Sequence, residues 1–309
     1  MTSTSHSFEL HLEVSETGKT AVELLAGQCK LSRARIKMAM RCGAVWLQRG
    51  TNKRRIRRAT QTLSVGDQIA LYYDAAILDA AVPAPVLIAD ETDYSVWLKP
   101  RGVHAQGTRY GDHSSMEQLA RQFFLAQSPV SDREARLVHR LDRYANGLIL
   151  IAHNKKAAAG LSALFANREI TKRYTVLVSG HAPNHHEAIT LDWDVDGKSA
   201  RSIVSVLKPG ANCSLLQVQI ETGRKHQVRR HLAEYGHPIV GDRLYGTADS
   251  KKPSLLGHLS GNDLDLQLSA SYLEFVCPMS RQLRTYQLHD EYLSEMHALV
   301  DNDGGYLND

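Results

Sequence analysis

The stretch "ARLVHRLDRYANGLILIAHN", Ala135 to Asn154, sets one acid, Asp142, among His139, Arg140 and Arg143 and then runs into an apolar segment. Leu148 to Ala152 reads as a buried strand. Asn154 can cap a helix over "KKAAAGLSALFANRE", with Ala158, Leu161 and Phe165 on one stripe. "RYANG" supplies a turn, and a second strand, "YTVLVSG", begins at Tyr174. Asp142 is therefore expected at the mouth of a strand, on a loop held by a core, where reactive side chains usually sit. An Asp beside an Arg is by itself more often a surface ion pair, so the rest of the chain has to decide.

A second segment, "LLQVQIETGRKHQVRRHLAEYGHPIVGD", reads as strand, Thr-Gly turn and helix, with Val228, Leu232 and Tyr235 at helical spacing and Gly236 and Pro238 ending it. Arg229 borders the buried face and can point into a cleft. Arg224 and Lys225 sit at the helix start, against the helix dipole, and an anion would offset that cost. His226 and His231 are five apart with no glutamate motif between them, so a structural hydrogen bond is the stronger reading for His226 than metal ligation. His185 and His186 lie in a polar loop with little to suggest a metal. Asp242, in "VGDRLYG", reads first as a turn former. Lys198 and Arg201 sit on a hairpin, and RNA contact and a solvated edge are equally good readings of them. "HRLD" resembles a kinase catalytic loop, but the Gly-rich loop, Val-Ala-Ile-Lys and Asp-Phe-Gly are absent.

The length of 309 residues suggests two domains, and 43% hydrophobic content is ordinary for a packed protein. The net charge of +4 is modest, but its layout is not: Lys30 to Gly66 holds 11 Lys or Arg and no acid. After Arg284 come six acids and no Lys or Arg, and "DNDGGYLND" reads as disordered. Residues 20 to 41 suggest two short helices, "GAVWLQRG" a strand, "NKRRIRR" a basic loop, and "LSVGDQIALYY" two short strands about a Gly-Asp turn. "DAAILDAAVPAPV" reads as a linker. The expected organisation is a basic module over 1–73, a linker over 74–88, a catalytic domain over 89–292 and an acidic tail over 293–309. Cys29, Cys42, Cys213 and Cys277 form no Cys-x-x-Cys pair, no signal peptide is apparent, and no run reaches 18 apolar residues. A soluble, cytoplasmic monomer is expected, with RNA as partner, because clustered cations on one face release counterions from a phosphate backbone.

The amino-terminal stretches "LLAGQCKLSRARIKMAMRCGAVWLQ" and "LSVGDQIAL" resemble a small RNA-binding module first seen in a ribosomal small-subunit protein. That resemblance implies that Ser32, Arg33 and Lys37 lie on a helix facing RNA. In the rest of the chain, "VWLKPRGVHAQGT", "HRLDRYANGLIL", "ITKRYTVLVSG" and "ETGRKHQVRRHLAEYGHPIVGDRLYG" occur in the order found in RluA-like pseudouridine synthases, covering about residues 89 to 280. The resemblance implies an α+β fold, a bent, mostly antiparallel mixed sheet with helices around a basic cleft. It also implies an enzyme that isomerises uridine in folded RNA; the basic module ahead of the catalytic domain suggests large-subunit ribosomal RNA as substrate, with transfer RNA as the alternative. Asp142 would be the essential carboxylate, Tyr174 would pack on the flipped base and act in proton transfer at C5, and Arg229 would pair with Asp142. Arg140 would enter the stack as the base leaves, and Lys99, Lys172, Arg224 and His139 would face RNA in the cleft. No redox change, phosphate transfer or metal is needed, so no cofactor is expected. Ala145 and Asn146 stand where the family usually has Thr-Ser, Ser269 where His is common and Leu98 where Asn is common. A ribosome assembly factor that binds RNA without turnover is the alternative, separated from the enzyme by whether Asp142 matters for chemistry alone.

Overall fold

The computed structural model describes residues 7–130, 132–182, 187–247 and 265–302, so His185, His186 and the end of the acidic tail lie outside the described residues. The chain forms two compact units, Met1–Val82 with Gln106–Gln127, and Pro83–Ala105 with Ser128–Asp309. The expected single linker over 74–88 is not what divides them, because the chain passes between units after residues 82, 105 and 127. Residues 106–127, expected in the catalytic domain, belong to the amino-terminal unit.

In the first unit, β1 (Ser7–Glu13), β2 (Val45–Arg49), β3 (Asn52–Arg55) and β4 (Gln68–Asp74) form an antiparallel sheet in the order β1-β4-β2-β3. Helices α1 (Ala21–Ala26) and α2 (Arg33–Arg41) bury Leu25, Ile36 and Met40 with Leu47 and Leu71 of the sheet. Thr20 and Glu23 make a reciprocal cap at α1, and Ser32 caps α2 by accepting the Arg35 N–H at 3.2 Å. Ser32 thus has a local structural part. "NKRR" is a strand rather than a loop, and "LSVGDQIALYY" holds one strand, not two. Within the former linker, α3 (Ala75–Asp79) buries Leu78, and Arg35 ties it down through Asp79 at 2.5 and 2.6 Å.

Four of the 11 cations face carboxylates: Arg35 meets Asp79, Arg49 meets Asp67, and Arg55 and Arg57 both meet Asp112. Arg55 also donates to the carbonyls of Gly43 and Thr108, and Trp46 donates to that of Arg109. These bonds fix the segment before α4 (Met116–Gln127) to the β2–β3 hairpin. The other seven cations, Arg33 and Lys37 among them, are exposed.

The second unit is built on one mixed sheet. Its strands are β5 (Val86–Asp90), β6 (Tyr94–Lys99), β7 (Arg136–Leu137), β8 (Asn146–Ala152), β9 (Thr171–Ser179), β10 (Ile189–Asp192), β11 (Arg201–Lys208), β12 (Cys213–Ile220), β13 (Leu268–Val276) and β14 (Leu283–Gln287). The main order is β10-β11-β12-β9-β13-β8-β6-β5, with β14 on β13 and β7 on β8. All pairs are antiparallel except β13 with β8, where Ser269 and Ala270 face Asn146 and Gly147. Gly147 has φ +124°, and a Cβ there would lie 2.3 Å from the Ala270 nitrogen, so this approach requires glycine.

Helix α5 (Lys155–Asn167) starts at Asn154, whose side chain accepts the Ala157 N–H at 2.8 Å. Its inward stripe is Ala157, Leu161 and Leu164, with Ala158 and Phe165 only partly buried beside it. Helix α6 (Gln227–Glu234) packs Val228 and Leu232 on the sheet with Val176 and Val218. Helix α7 (Ser294–Asn302) occupies the start of the expected acidic tail and buries Met296, Leu299 and Val300 against Leu177 and Leu215. No helix among the described residues is long and apolar enough to cross a membrane.

Candidate active site

After β7 the chain folds back along β8, and this return carries Asp142. His139 holds the return in place: its Nε2 accepts the Leu150 N–H at 3.0 Å and its ring stacks on Phe165 at 4.3 Å. Burial, with Lys172 nearby, pushes the imidazole down to about 3, which suits a ring that must stay neutral to accept that N–H. His139 is thus half-buried and fixed to β8, which gives it a structural part besides the RNA contact expected of it. Leu141 and Ala145 are buried on either side of Asp142, so the loop is anchored before and after the acid.

Lys99 anchors it again. Fully buried at the end of β6, its Nζ donates to the carbonyls of Pro100, Val103 and Arg143 at 3.0, 2.8 and 3.0 Å. Burial lowers the amine to about 7, with Asp142 opposing, while three carbonyl acceptors match the three N–H bonds of an ammonium. Gly102 and Arg143 add a reciprocal pair, Gly102 N–H to the Arg143 carbonyl at 2.9 Å and Arg143 Nε to the Gly102 carbonyl at 3.0 Å. Lys99 therefore clamps the loop that carries Asp142 and is not a cleft cation.

The Asp142 side chain is 25% exposed, more open than a buried carboxylate. Arg229, 7% exposed, donates from Nη1 to Asp142 Oδ2 at 3.1 Å. Its stronger partner is Asp242, fully buried, which takes Nε and Nη2 at 2.7 and 2.8 Å. Burial alone would push Arg229 down, but the hydrogen bonds and charge of Asp242, then of Asp142, raise it. Burial would raise Asp242, but Arg229 and the N–H groups of Tyr245 and Leu244 bring it below the usual carboxylate range. Asp242 is thus both the turn former read from sequence and the partner that fixes Arg229.

Other residues complete the surroundings. Tyr174, on β9, is partly buried beside Ala145 and Val176, and burial, with the Asp142 charge, raises its phenol well above the ordinary value. It is therefore a neutral phenol, able to stack and donate but poorly suited to act as a base. Arg140 is exposed, with no hydrogen bond or ion pair to any described residue. Lys172 is buried with Nζ 5.8 Å from the Phe165 ring, its amine lowered by burial and by Arg168. Arg224 donates to the Ser199 carbonyl at 3.1 Å, and both it and Lys225 precede α6 instead of opening it. Lys198 is exposed, and Arg201 lies 3.7 Å from Glu221. His231 is buried and faces the Trp193 carbonyl at 3.3 Å. Sequence reading missed Gln227, whose Oε1 accepts from Thr222 and from the Arg224 N–H at 2.7 and 3.1 Å, while its Nε2 donates to Arg201 and Ser202. Its signal was only its place between two basic residues and an apolar stripe.

The sequence profile described as RNA pseudouridylate synthase matches residues 93–234, from β6 to the end of α6. An uncharacterised RNA pseudouridine synthase of Aquifex aeolicus is 30% identical over 278 residues, spanning 84% of this chain and 86% of that protein. The chain belongs to the RNA pseudouridine synthase family. Like other members, it is an isomerase acting on RNA. The ribosomal large subunit pseudouridine synthase D of Zymomonas mobilis is 34% identical over 157 residues, 47% of this chain and 49% of that protein. In fold, the synthase resembles human RNA pseudouridylate synthase domain containing 4, with TM-score 0.58 and 19% identity over 70% of this chain and 93% of the human one. That likeness agrees with the α+β architecture expected from sequence.

Proposed function

We propose that Asp142 is the carboxylate that acts at the ribose of a uridine turned out of large-subunit ribosomal RNA. The observation that carries this reading is the chain of contacts Asp242 to Arg229 to Asp142, which places a guanidinium on one carboxylate oxygen and leaves a quarter of the side chain open. A cation at 3.1 Å favours the charged carboxylate, the form that either reading of its role requires. The isomerisation breaks N1–C1′ and makes C5–C1′, while C5 loses a proton and N1 gains one. Asp142 serves either as nucleophile at C1′ or as base at the 2′ position.

Extruding the uridine costs a few kcal/mol of stacking and pairing. Arg140, exposed and without a partner among the described residues, suits the place the base leaves, since a guanidinium plane stacks on neighbouring bases. Tyr174 offers the uracil a neutral stacking face and a donor hydroxyl. The exposed cations of the amino-terminal unit support docking on a folded phosphate backbone, and the name of the Zymomonas relative supports the ribosomal large subunit. The protein is read as a cytoplasmic monomer. Pseudouridine mapping of total RNA with and without the gene tests the substrate. Loss of one or a few sites in large-subunit ribosomal RNA is expected, and loss confined to transfer RNA would overturn the ribosomal assignment.

A further inference from the structure

The second oxygen of Asp142 has a neighbour of its own. His226 Nε2 lies 3.7 Å from Oδ1, and His226 Nδ1 lies 3.0 Å from the Tyr245 hydroxyl. A backbone conformation and two anchored neighbours hold this arrangement. His226 has φ +56°, a left-handed conformation that costs a residue other than glycine about 1 kcal/mol, and its side chain does not cap α6. Gln227, next in the chain, is pinned to Thr222, Arg201 and Ser202. Tyr245 is fixed from the other side, its N–H donating to Asp242 Oδ1 at 3.1 Å and its ring 5.2 Å from the Arg229 guanidinium. A strained backbone held this firmly turns the imidazole towards Asp142.

Charge decides the tautomer. A proton on Nδ1 would aim the Nε2 lone pair at the carboxylate, which is repulsive. With Tyr245 donating its hydroxyl proton to Nδ1, the Nε2–H points at Oδ1. At 3.7 Å this is attraction across a gap and not a hydrogen bond, so the oxygen stays available. The groups facing His226 are Asp142 from the β8 loop, Asp242 and Tyr245 from the turn after α6, Asp196 from the turn after β10, and Arg229 and Lys225 on its own segment. Burial disfavours the imidazolium most; Asp142 opposes that, while Arg229 and Lys225 add to it.

We propose that His226 is a positioning residue for Asp142: neutral, it orients Oδ1 and leaves it free, and protonated, it closes on that oxygen and withdraws it from the ribose. The inference rests on the assignment of Asp142 above. It predicts that the single-turnover rate falls on acidification with a midpoint belonging to His226, below its ordinary value of 6.5. His226→Asn keeps a residue that tolerates the left-handed backbone but removes the titrating ring. Tyr245→Phe keeps the ring under Arg229 but removes the donor that favours neutral imidazole.

The test is pseudouridine formation by full-length protein on total RNA from cells lacking the gene, followed from about pH 5 to 8 with circular dichroism as the control for folding. His226→Asn should move the acid limb to lower pH, and Tyr245→Phe should move it to higher pH, each with RNA affinity unchanged. A purely structural histidine would give neither shift. Wild-type profiles in both variants would overturn the proposal, and Tyr245→Phe alone decides should His226→Asn fail to fold. No product from the wild-type protein would overturn the Asp142 assignment instead, and this inference with it.

Discussion

Lys99 shows how one side chain can set a site without touching substrate. Its three carbonyl partners belong to two segments, 100–103 and the Asp142 loop, which the Gly102–Arg143 pair also joins. Lys99→Met would leave the Pro100 and Val103 carbonyls without their donor, at about 1–3 kcal/mol each before relaxation, while the Arg143 carbonyl keeps the Gly102 N–H, so a net loss of about 2 kcal/mol is expected. Chemical denaturation should report that loss, and single-turnover kinetics a slower step with RNA affinity retained. The resemblance makes Lys99 a cleft cation, and nothing in its own strand corrects that, because it closes a strand buried on both faces, where no alternation tells inward from outward. The approach of Arg229 to Asp142 was legible because motif and element agreed. Asp242 was half legible: its turn was visible, but its pairing with a residue on a preceding helix needed the fold. His226 was read as a structural hydrogen bond, which Tyr245 supplies, while its approach to Asp142 was invisible until α6 and the loop came together.

At the scale of elements, the parallel contact of β8 with β13 brings two of the family departures together. Asn146 faces Ser269 there, and Asn146 Oδ1 and Ser269 Oγ are both buried without a partner among the described residues. A buried hydroxyl with nothing to bond contributes nothing and costs desolvation, so Ser269→Ala should be within about 0.5 kcal/mol of wild type or slightly more stable. Thermal unfolding checks this, and a loss of several kcal/mol would mean the hydroxyl is satisfied in solution. The β7–β8 return has a pH dependence of its own. His139 titrates near 3 when folded and near 6.5 when unfolded, so between these values the unfolded chain binds a proton that the folded one does not. Its contribution to stability is intact above 6.5 and is lost as pH falls towards 3, at up to about 1.4 kcal/mol per pH unit. His139→Gln keeps an acceptor for Leu150 and should remove that part of the slope in urea titrations across this range. Most strand and helix positions were readable, whereas "NKRR" was not, because four polar residues pair as a strand through their register with β2 and without an apolar face.

For the molecule as a whole, the amino-terminal unit is composite, since Arg55 and Arg57 are spent on holding residues 106–112 and do not add to the RNA-facing charge. A run without acids could not reveal that, because the pairing carboxylate, Asp112, lies more than fifty residues on. The free cations should govern salt dependence. Arg33→Ala with Lys37→Ala should weaken RNA binding uniformly and reduce the slope of log affinity against log salt by about 2, roughly one per lost phosphate contact. Fluorescence anisotropy over a salt series measures it, and an unchanged slope would remove α2 from the RNA interface. The central claim is that Asp142 performs the chemistry while the rest of the protein binds, flips and orients. The direct measurement replaces Asp142 with Asn and follows pseudouridine formation and RNA affinity side by side. Product should vanish while affinity stays within about twofold, because one neutralised carboxylate removes no phosphate contact. Retained turnover in Asp142→Asn, or turnover and affinity lost together, would contradict the account.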